Sequence, residues 1–233
     1  MTTKRNKQEI YDDVAGQWWS DEIRWVRTLK NLVPARFAFF DHHFEFSKKT
    51  VLDLGCAGGF MAEALYKKGA AVTGIDPAEQ AIKAARAHAA ATRKDIKYDF
   101  GVGESLPYDA VVCVDVLEHV SDLARVLSEV RRVLNPGGAF LFDTINRTLA
   151  ARIAVITVAE DILRLLPKGT HDPALFIKPG ELRNDLRDSG LVCGPMTGIG
   201  PSGISLKGDF KFGVLPFKQV VYAGVARKPK VPK

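Results

Sequence analysis

Two hydrophobic patterns alternate along the middle of the chain. Short runs rich in Val, Ile, Phe and Tyr, bounded by Gly, Pro or Asp, predict five β-strands. Apolar residues at helical spacing between these runs predict helices. The predicted strands cover residues 50–54, 71–76, 96–100, 109–115 and 138–144, and the helical patterns are MAEALYKKG, AEQAIKAARAHAAATRK and SDLARVLSEVRRVL. Strands that alternate with helices predict a parallel sheet with helices on both faces.

The third of these helices has signals at both ends. Ser121 and Asp122 precede its apolar pattern, and both are residue types that cap a helix N-terminus. The sequence NPGG at residues 135–138 is expected to stop the helix before the fifth strand.

Another helical pattern, LAARIAVITVAEDILRLL, covers residues 149–166. Its four charged residues argue against a span across a bilayer. At 100° per residue, polar side chains gather on one arc and apolar side chains on the other. The polar arc comprises Thr157, Glu160, Asp161, Arg164 and Lys168, and the apolar arc comprises Ile156, Val158, Ile162, Leu163, Leu165 and Leu166. We predict an amphipathic helix at a membrane interface, with a core-facing helix or a dimer contact as alternatives.

Composition limits the class of protein. A chain of 233 residues that is 46% hydrophobic can bury one substantial core, so a single structural domain is expected. The net charge of +6 comes largely from residues 4–7 and 227–233, which is first a pattern of solvated tails. Cys56, Cys113 and Cys193 have no metal-binding spacing and no apolar signal segment follows the start, which predicts reduced thiols in a cytoplasmic protein.

The sequence VLDLGCAGGF joins the first strand to the first helix of the sheet. Its glycines, among them Gly55 and Gly58, would let a ligand lie against bare backbone, although a tight connection without a ligand is the alternative. The run differs from the dinucleotide pattern G-x-G-x-x-G. Asp53 would repel a pyrophosphate and suit an ammonium group, and Asp76 is placed to accept hydrogen bonds from ribose hydroxyls. The two acids favour S-adenosylmethionine over NAD.

Four segments together resemble the class I S-adenosylmethionine-dependent methyltransferases: VLDLGCAGG, VTGIDPA, VVCVDVLEHV and LNPGGAF. Three more, GQWWS, TINR and AEDILRLLPKGTHDPALFIKPGEL, resemble the ubiquinone-biosynthesis O-methyltransferases, which methylate hydroxyl groups of polyprenylated catechols. The resemblance runs from about Gln17 to the last strand. Residues 193–210, rich in Gly and Pro on the presumed acceptor side, match no family element.

The resemblance implies an α/β, Rossmann-like fold with a central, mostly parallel seven-stranded sheet flanked by helices and an added amphipathic helical segment. Within one structural domain we expect an N-terminal helical cap over residues 1–45 and a core that binds S-adenosylmethionine over residues 46–146. A helical insertion with the interfacial helix would cover residues 147–190. C-terminal strands and a basic tail would follow over residues 191–233.

The resemblance also implies a set of cofactor contacts. Gly55 would let the methionine portion approach, Asp76 would bind the ribose, and Val114 would pack at the end of the fourth strand. Arg36 resembles a position that closes over the cofactor and pairs with its carboxylate, with a surface cation as the alternative.

Reasoning from the residues adds further candidates. Asp53 would face the amino group of the cofactor, and Glu104 would face the adenine edge unless it is a solvated loop acid. Trp18 and Trp19 are expected at the membrane interface or over the cofactor.

Two histidines are candidates for the base that removes a phenol proton. His119 follows the fourth strand at the edge that faces the transferred methyl group, and His171 lies in PKGTHD. His119 is the first candidate, with a capping or packing role as its alternative. No metal-ligand signature is present, so no metal site is predicted. Glu118 is the residue that could join a divalent cation with Asp143 or His119 and so bind both catechol oxygens.

We therefore predict an enzyme that transfers methyl from S-adenosylmethionine to a phenolic hydroxyl of a polyprenylated ubiquinone precursor. A methyltransferase for another small phenol or carboxylate is the alternative, and a non-catalytic cofactor-binding partner in a biosynthetic complex is a second. Expected partners are the quinone or phenol substrate and an anionic membrane, which places the chain in the cytoplasm at the inner face of the membrane. No nucleic-acid partner is expected, because the basic residues form no helical stripe.

Overall fold

The computed structural model describes residue 6 and residues 9–101 and 107–230, and these contain one eight-stranded sheet. The strands are β1 (Thr50–Leu54), β2 (Ala71–Ile75), β3 (Lys97–Asp99), β4 (Tyr108–Cys113), β5 (Leu134–Ile145), β6 (Val192–Ile204), β7 (Phe210–Leu215) and β8 (Val221–Arg227). Their order across the sheet is β3-β2-β1-β4-β5-β8-β6-β7. The α/β fold and its mostly parallel sheet are confirmed. The sheet has eight strands, rather than seven, because β7 forms a hairpin with β6.

The parallel half of the sheet determines where a ligand can bind. Strands β1 to β5 are parallel to one another, whereas β8 is antiparallel to both β5 and β6. Strand order reverses at β1, which has β2 on one side and β4 on the other. The crevice beyond the carboxyl ends of β1 and β4 is therefore the ligand position expected for this topology.

Helices cover both faces of the sheet. They are α1 (Ile10–Asp13), α2 (Arg24–Phe40), α3 (Phe60–Lys67), α4 (Glu79–Ala91), α5 (Leu123–Val133), α6 (Leu149–Ala151) and α7 (Pro179–Asp188). A π-helix continues α6 over Arg152–Ile162, and a 3₁₀ turn covers Leu117–His119. The predicted cap of α5 is confirmed, because the Asp122 side chain accepts a hydrogen bond of 2.9 Å from the backbone N–H of Arg125.

Two hydrophobic clusters lie on the two faces of the sheet. Consecutive residues of β1 separate between them, since Val51 packs in the cluster with Phe40 of α2, and Leu52 packs in the cluster with Leu127 of α5. Both strand residues are almost fully buried, with exposures of 0% and 1%. Burial on both faces is why these strands read as continuous apolar runs.

The segment over residues 149–166 differs from its predicted pattern. Glu160, placed on the polar arc, is buried with an exposure of 1%, whereas Ile162, placed on the apolar arc, is 64% exposed. The predicted arcs are wrong at these two positions, because a π-helix bonds i to i+5 and its side chains no longer repeat at 100°. Among the described residues, no helix is long and apolar enough to cross a membrane.

Candidate active site

The turn after β1 exposes its backbone to a cavity. Gly55 has a φ of +80°, and a Cβ at this residue would lie 2.2 Å from Cγ2 of Val116. The backbone N–H groups of Gly55 and Cys56 both donate to the carbonyl oxygen of Ile75, at 2.8 and 3.1 Å. The turn is thereby tied to β2, and only glycine fits at its first position.

A second glycine of the turn makes room for the chain itself. A Cβ at Gly58 would lie 2.2 Å from the indole of Trp18, which is buried and stacks on Phe60 with ring centroids 5.3 Å apart. Trp18 lines the cavity, whereas Gly58 is not among the described residues that do so. The missing side chain at Gly58 therefore makes room for Trp18, whereas the sequence had predicted the cofactor at this position. The indole of Trp18 packs against this turn.

The cavity itself has a volume of about 1010 Å³ and opens beyond the carboxyl ends of β1, β2 and β4. Ligand pockets typically measure about 300–1,000 Å³, so a nucleoside-sized cofactor fits. Arg36, Gly55, Asp76, Val114 and His119 all line it, which brings five of the predicted residues to one place. The prediction for Glu104 concerns a residue outside the described ranges.

Asp76 organises the turn and faces the cavity. Its two carboxylate oxygens accept hydrogen bonds from the backbone N–H groups of Ala57 and Ala78, at 2.9 and 2.8 Å. Burial raises the pKa of Asp76 above its usual range. Each carboxylate oxygen has a further lone pair, so Asp76 can also accept hydrogen bonds from ribose hydroxyls.

Asp53 lies beneath the turn instead of in the cavity wall. Its exposure is 0%, and burial together with the charge of Asp76 raises its pKa to about 7. Among the described residues that line the cavity, Asp53 is absent. The structure therefore does not support direct contact between Asp53 and the cofactor amino group.

Arg36 is a buried residue, so the alternative of a surface cation is excluded. It is 2% exposed, its Nε donates to Oδ2 of Asp143 at 2.6 Å, and a second guanidinium nitrogen pairs with Asp115. Burial opposes its charge, but the two carboxylates overcome this effect and raise the pKa of Arg36. A guanidinium has five N–H donors, and these two contacts leave capacity for a carboxylate in the cavity.

The two candidate histidines lie against each other. The rings of His119 and His171 stack with centroids 4.9 Å apart and planes at 27°. Nδ1 of His119 lies 2.6 Å from Oδ1 of Asn6, and burial together with His171 lowers the pKa of His119 to about 4. His119 is therefore neutral at pH 7 and a weaker proton acceptor than a histidine with its ordinary pKa.

Glu160 holds His171 in place, a contact that the sequence pattern did not predict. One of its oxygens lies 3.0 Å from Nδ1 of His171 and accepts the backbone N–H of the same residue at 3.0 Å. Its other oxygen accepts the backbone N–H of Gly169 at 2.8 Å. The signal that could have revealed it is the acid itself, because a charge inside an apolar helix is expensive unless it is paired.

A group of side chains that could bind a metal ion includes both histidines. Ligand atoms of Glu118, His119 and His171 all lie within 4.8 Å of one another. Neutral imidazole is the ligating form of histidine, which the low pKa of His119 favours. Asp143, the alternative partner predicted for Glu118, is paired with Arg36 instead. The geometry therefore fits a divalent cation with His171 in the place predicted for Asp143.

A second cavity, the apolar chamber, adjoins the first. It has a volume of about 450 Å³ and is enclosed by α1, α2, the π-helix and the hairpin of β6 and β7. Tyr11, Leu29 and Asp115 line both cavities, whereas His119 lines the first and His171 the second. Sequence patterns did not identify Tyr11, which lies at this junction because it lines both cavities. Removal from water raises the pKa of its hydroxyl. The histidine pair thus lies where the two cavities meet.

Comparison with known proteins agrees with this geometry. A family model described as a methyltransferase domain matches residues 24–193. A ubiquinone biosynthesis O-methyltransferase of Thiobacillus denitrificans is 38% identical over 195 residues, which cover 81% of this chain and 84% of the relative. A protein of the same description from Acinetobacter baylyi is 38% identical over 202 residues, which cover 82% and 84%.

A solved structure supports the fold. The magnesium protoporphyrin IX methyltransferase of Synechocystis PCC 6803, crystallised with bound SAH, superimposes with a TM-score of 0.66. The match covers 95% of this chain and 97% of that one at 17% sequence identity, so it bears on the fold alone. With the family model and the identities above, the chain belongs to the S-adenosylmethionine-dependent methyltransferases, among the ubiquinone biosynthesis O-methyltransferases.

Proposed function

We propose that this enzyme transfers the methyl group of S-adenosylmethionine to a phenolic hydroxyl of a polyprenylated ubiquinone precursor. The observation that carries the proposal is the meeting of the two cavities, with the histidine pair at their junction. A polar aromatic ring at this junction would place its hydroxyl beside the cofactor and its hydrocarbon tail in the apolar chamber. The names of the similar proteins support the same substrate class.

The bound cofactor supplies a methyl group that its sulfonium already makes electrophilic. The protein has to hold the acceptor oxygen in line with that methyl group and to exclude water. Asp76 would accept the ribose hydroxyls, and Arg36 would pair with the cofactor carboxylate. Val114 and Gly55 supply the close apolar and backbone contacts of the cavity wall.

Removal of the phenol proton is best assigned to His171. Its Nδ1 faces Glu160, so Nδ1 carries the hydrogen and Nε2 carries the lone pair that can accept a proton. The carboxylate orients the ring and stabilises the imidazolium that forms. The sequence favoured His119, but its lowered pKa makes it a poor proton acceptor at neutral pH. As an alternative, Glu118, His119 and His171 would together hold a divalent cation. Its charge would lower the pKa of the substrate hydroxyl, so that no separate base would be needed.

A methyl-transfer assay with labelled cofactor and a short-chain demethylubiquinol tests this assignment. His171→Gln is expected to lower kcat by about 100-fold or more, in line with the loss of a general base. His42→Gln is the matched control, because His42 is exposed and lies at the end of α2. Activity that is lost with a chelator and restored by a divalent cation would favour the cation over the base. No transfer despite measurable cofactor binding would reject the quinol substrate.

Contact with an anionic membrane is also proposed, as a peripheral attachment at the inner face. Apolar side chains of the insertion are exposed despite the altered helix: Leu149 by 73%, Ile153 by 49% and Ile162 by 64%. Exposed apolar side chains on a helix next to an apolar substrate site are typical of interfacial attachment. Leu149 lies on α6, and Ile153 and Ile162 lie on the π-helix that walls the apolar chamber, an arrangement that would let a tail enter from the lipid.

Sedimentation with anionic lipid vesicles tests the attachment. Ile162→Glu is expected to reduce the bound fraction, because it puts a charge on the surface that would enter the headgroups. Val192→Glu is the control, since Val192 is 62% exposed but lies on β6 outside the insertion. Equal binding of both variants and the wild type would contradict the proposal.

A further inference from the structure

The hairpin of β6 and β7 forms one wall of the apolar chamber, and α2 forms the adjacent wall. Ile199 of β6 with Phe210 and Phe212 of β7 line the chamber from the hairpin, and Trp25 and Leu29 line it from α2. Strand β7 is the last strand in the sheet order, so its position depends on β6 and on α2. The width of the chamber is therefore set by how the hairpin docks on α2.

One ion pair joins these two walls. Nε and a terminal nitrogen of Arg27 in α2 donate to the two carboxylate oxygens of Asp209, at 3.1 and 3.0 Å. The other terminal nitrogen of Arg27 donates to the backbone carbonyls of Asp21 and Glu22, at 2.7 and 3.1 Å. A two-pronged arginine contact of this kind fixes orientation as well as distance. Arg27 thus connects the segment before α2, the helix itself and the hairpin.

The ion pair lies at the chamber and is partly shielded from water. Arg27 and Asp209 directly precede Thr28 and Phe210, both of which line the chamber. The two side chains are 24% and 12% exposed, compared with 42% and 55% for Lys30 and Asp21, a more exposed ion pair that also involves α2. A partly buried, bidentate ion pair contributes more to the free energy of folding than a freely solvated one.

Asp209 belongs to the turn that joins the two strands. The backbone N–H of Ser205 donates to the carbonyl oxygen of Asp209 at 2.8 Å, and the N–H of Asp209 donates to the hydroxyl of Ser205 at 3.1 Å. The position of the Asp209 carboxylate is therefore coupled to the positions of β6 and β7. The turn and most of β6 fall within residues 193–210, the segment that the sequence placed on the acceptor side.

We infer that the Arg27–Asp209 ion pair determines which isoprenoid tails the enzyme accepts, because it holds the hairpin against α2 and so sets the width of the apolar chamber. The inference rests on the proposed function. Arg27 is a positioning residue in this scheme, since it does not line either cavity among the described residues. A hydrocarbon tail is the matching ligand class, because aromatic and aliphatic side chains from both walls line the chamber, and its isoprenoid character follows from the proposed function.

A double-mutant cycle tests the ion pair directly. Arg27→Met keeps an apolar side chain and removes the guanidinium group. Asp209→Asn keeps the size of the side chain and removes its charge. For an acceptor with a long isoprenoid tail, each single variant is expected to raise KM about tenfold, with kcat and the KM for S-adenosylmethionine almost unchanged. The double variant should be no worse than either single variant, because the contact is lost only once. Additive effects would overturn the inference.

Two comparisons separate a specific role from general loosening. The KM for an acceptor with a short tail should change much less than that for the long tail, and Arg27→Lys should retain part of the selectivity. Lys30→Met, on the same helix, is the matched control and should leave the tail preference unchanged. An equal rise in KM for both tails, or the same loss of selectivity in Lys30→Met, would overturn the inference.

Binding of an isoprenoid alcohol that lacks the ring distinguishes this inference from the proposed function. Geranylgeraniol should bind to the wild-type protein loaded with S-adenosylhomocysteine and bind about tenfold more weakly to Arg27→Met. If the protein binds geranylgeraniol but transfers no methyl group to quinols, the proposed substrate would be rejected and the inference about the apolar chamber would stand. Failure of the wild-type protein to bind the alcohol would overturn the inference even if quinols are methylated. If Arg27→Met does not fold, Asp209→Asn provides the same comparison.

Discussion

Asp53 should make the protein less stable as pH rises through neutrality. The carboxyl group is fully buried beneath the turn after β1, and burial together with the charge of Asp76 raises its pKa to about 7 from an ordinary value of 3.8, although Arg36 opposes the rise. Between these two values the folded protein holds a proton that the unfolded chain has released. The free energy of unfolding therefore falls as pH rises through this window.

The size of the effect follows from the separation of the two pKa values. About three pH units, at about 1.4 kcal/mol per unit, correspond to about 4 kcal/mol as an order of magnitude. Asp53→Asn removes the titration and keeps the shape of the side chain. Relative to the wild type, this variant should gain about 1.4 kcal/mol per pH unit from about pH 5 to pH 7 and little above about pH 8.

Urea unfolding followed by circular dichroism at several pH values measures this difference. Asp109→Asn is the matched control, because the backbone N–H of Thr50 lowers the pKa of Asp109 below its usual range, so its effect should not vary over the same interval. A difference between Asp53→Asn and the wild type that stays constant from about pH 5 to pH 8 would refute the reasoning about burial. Cofactor binding to the same variant shows whether the charge of Asp53 also matters for function.

Two further substitutions test the cofactor site. Gly55→Ala should destabilise the fold by about 1–3 kcal/mol, because φ at this residue is +80° and the new Cβ would lie 2.2 Å from Val116. The same variant should bind S-adenosylmethionine more weakly in calorimetry, and an unchanged affinity would contradict the contact assigned to Gly55. Arg36→Met should lower the free energy of unfolding by about 3–5 kcal/mol, because it leaves the buried Asp143 without its cation. Arg36→Lys keeps a positive charge and should lower the free energy of unfolding by less, so equal losses in urea unfolding would show that charge is not the cause.

Local pattern was sufficient for the core of the sheet. The five predicted strands correspond to β1 to β5, with ends within a few residues except at β5, which begins at Leu134 because the NPGG turn is included in the strand. Asp122 caps its helix as predicted, and Gly55 lies in the turn where the sequence placed bare backbone, with a φ of +80°. These features depend on backbone preference and side-chain alternation within a few residues, which is information that a sequence carries directly.

The insertion shows where local pattern fails. A helical projection at 100° placed Glu160 in contact with water, but tertiary contacts with Gly169 and His171 bury it inside a π-helix. Hydrogen bonds to a buried carboxylate offset the unfavourable removal of its charge from water, and no pattern of neighbouring residues reports such bonds.

The sequence by itself determined the fold class, the cofactor turn and the residue types available for catalysis. Only the tertiary structure decided which of them meet: Arg36 with Asp143 across 107 positions of the chain, and His119 with His171 across the junction of two cavities. It also decided that Trp18 covers Gly58. The physical reason is that partners distant in sequence are selected by burial, packing and charge compensation in the folded state, which no local pattern contains.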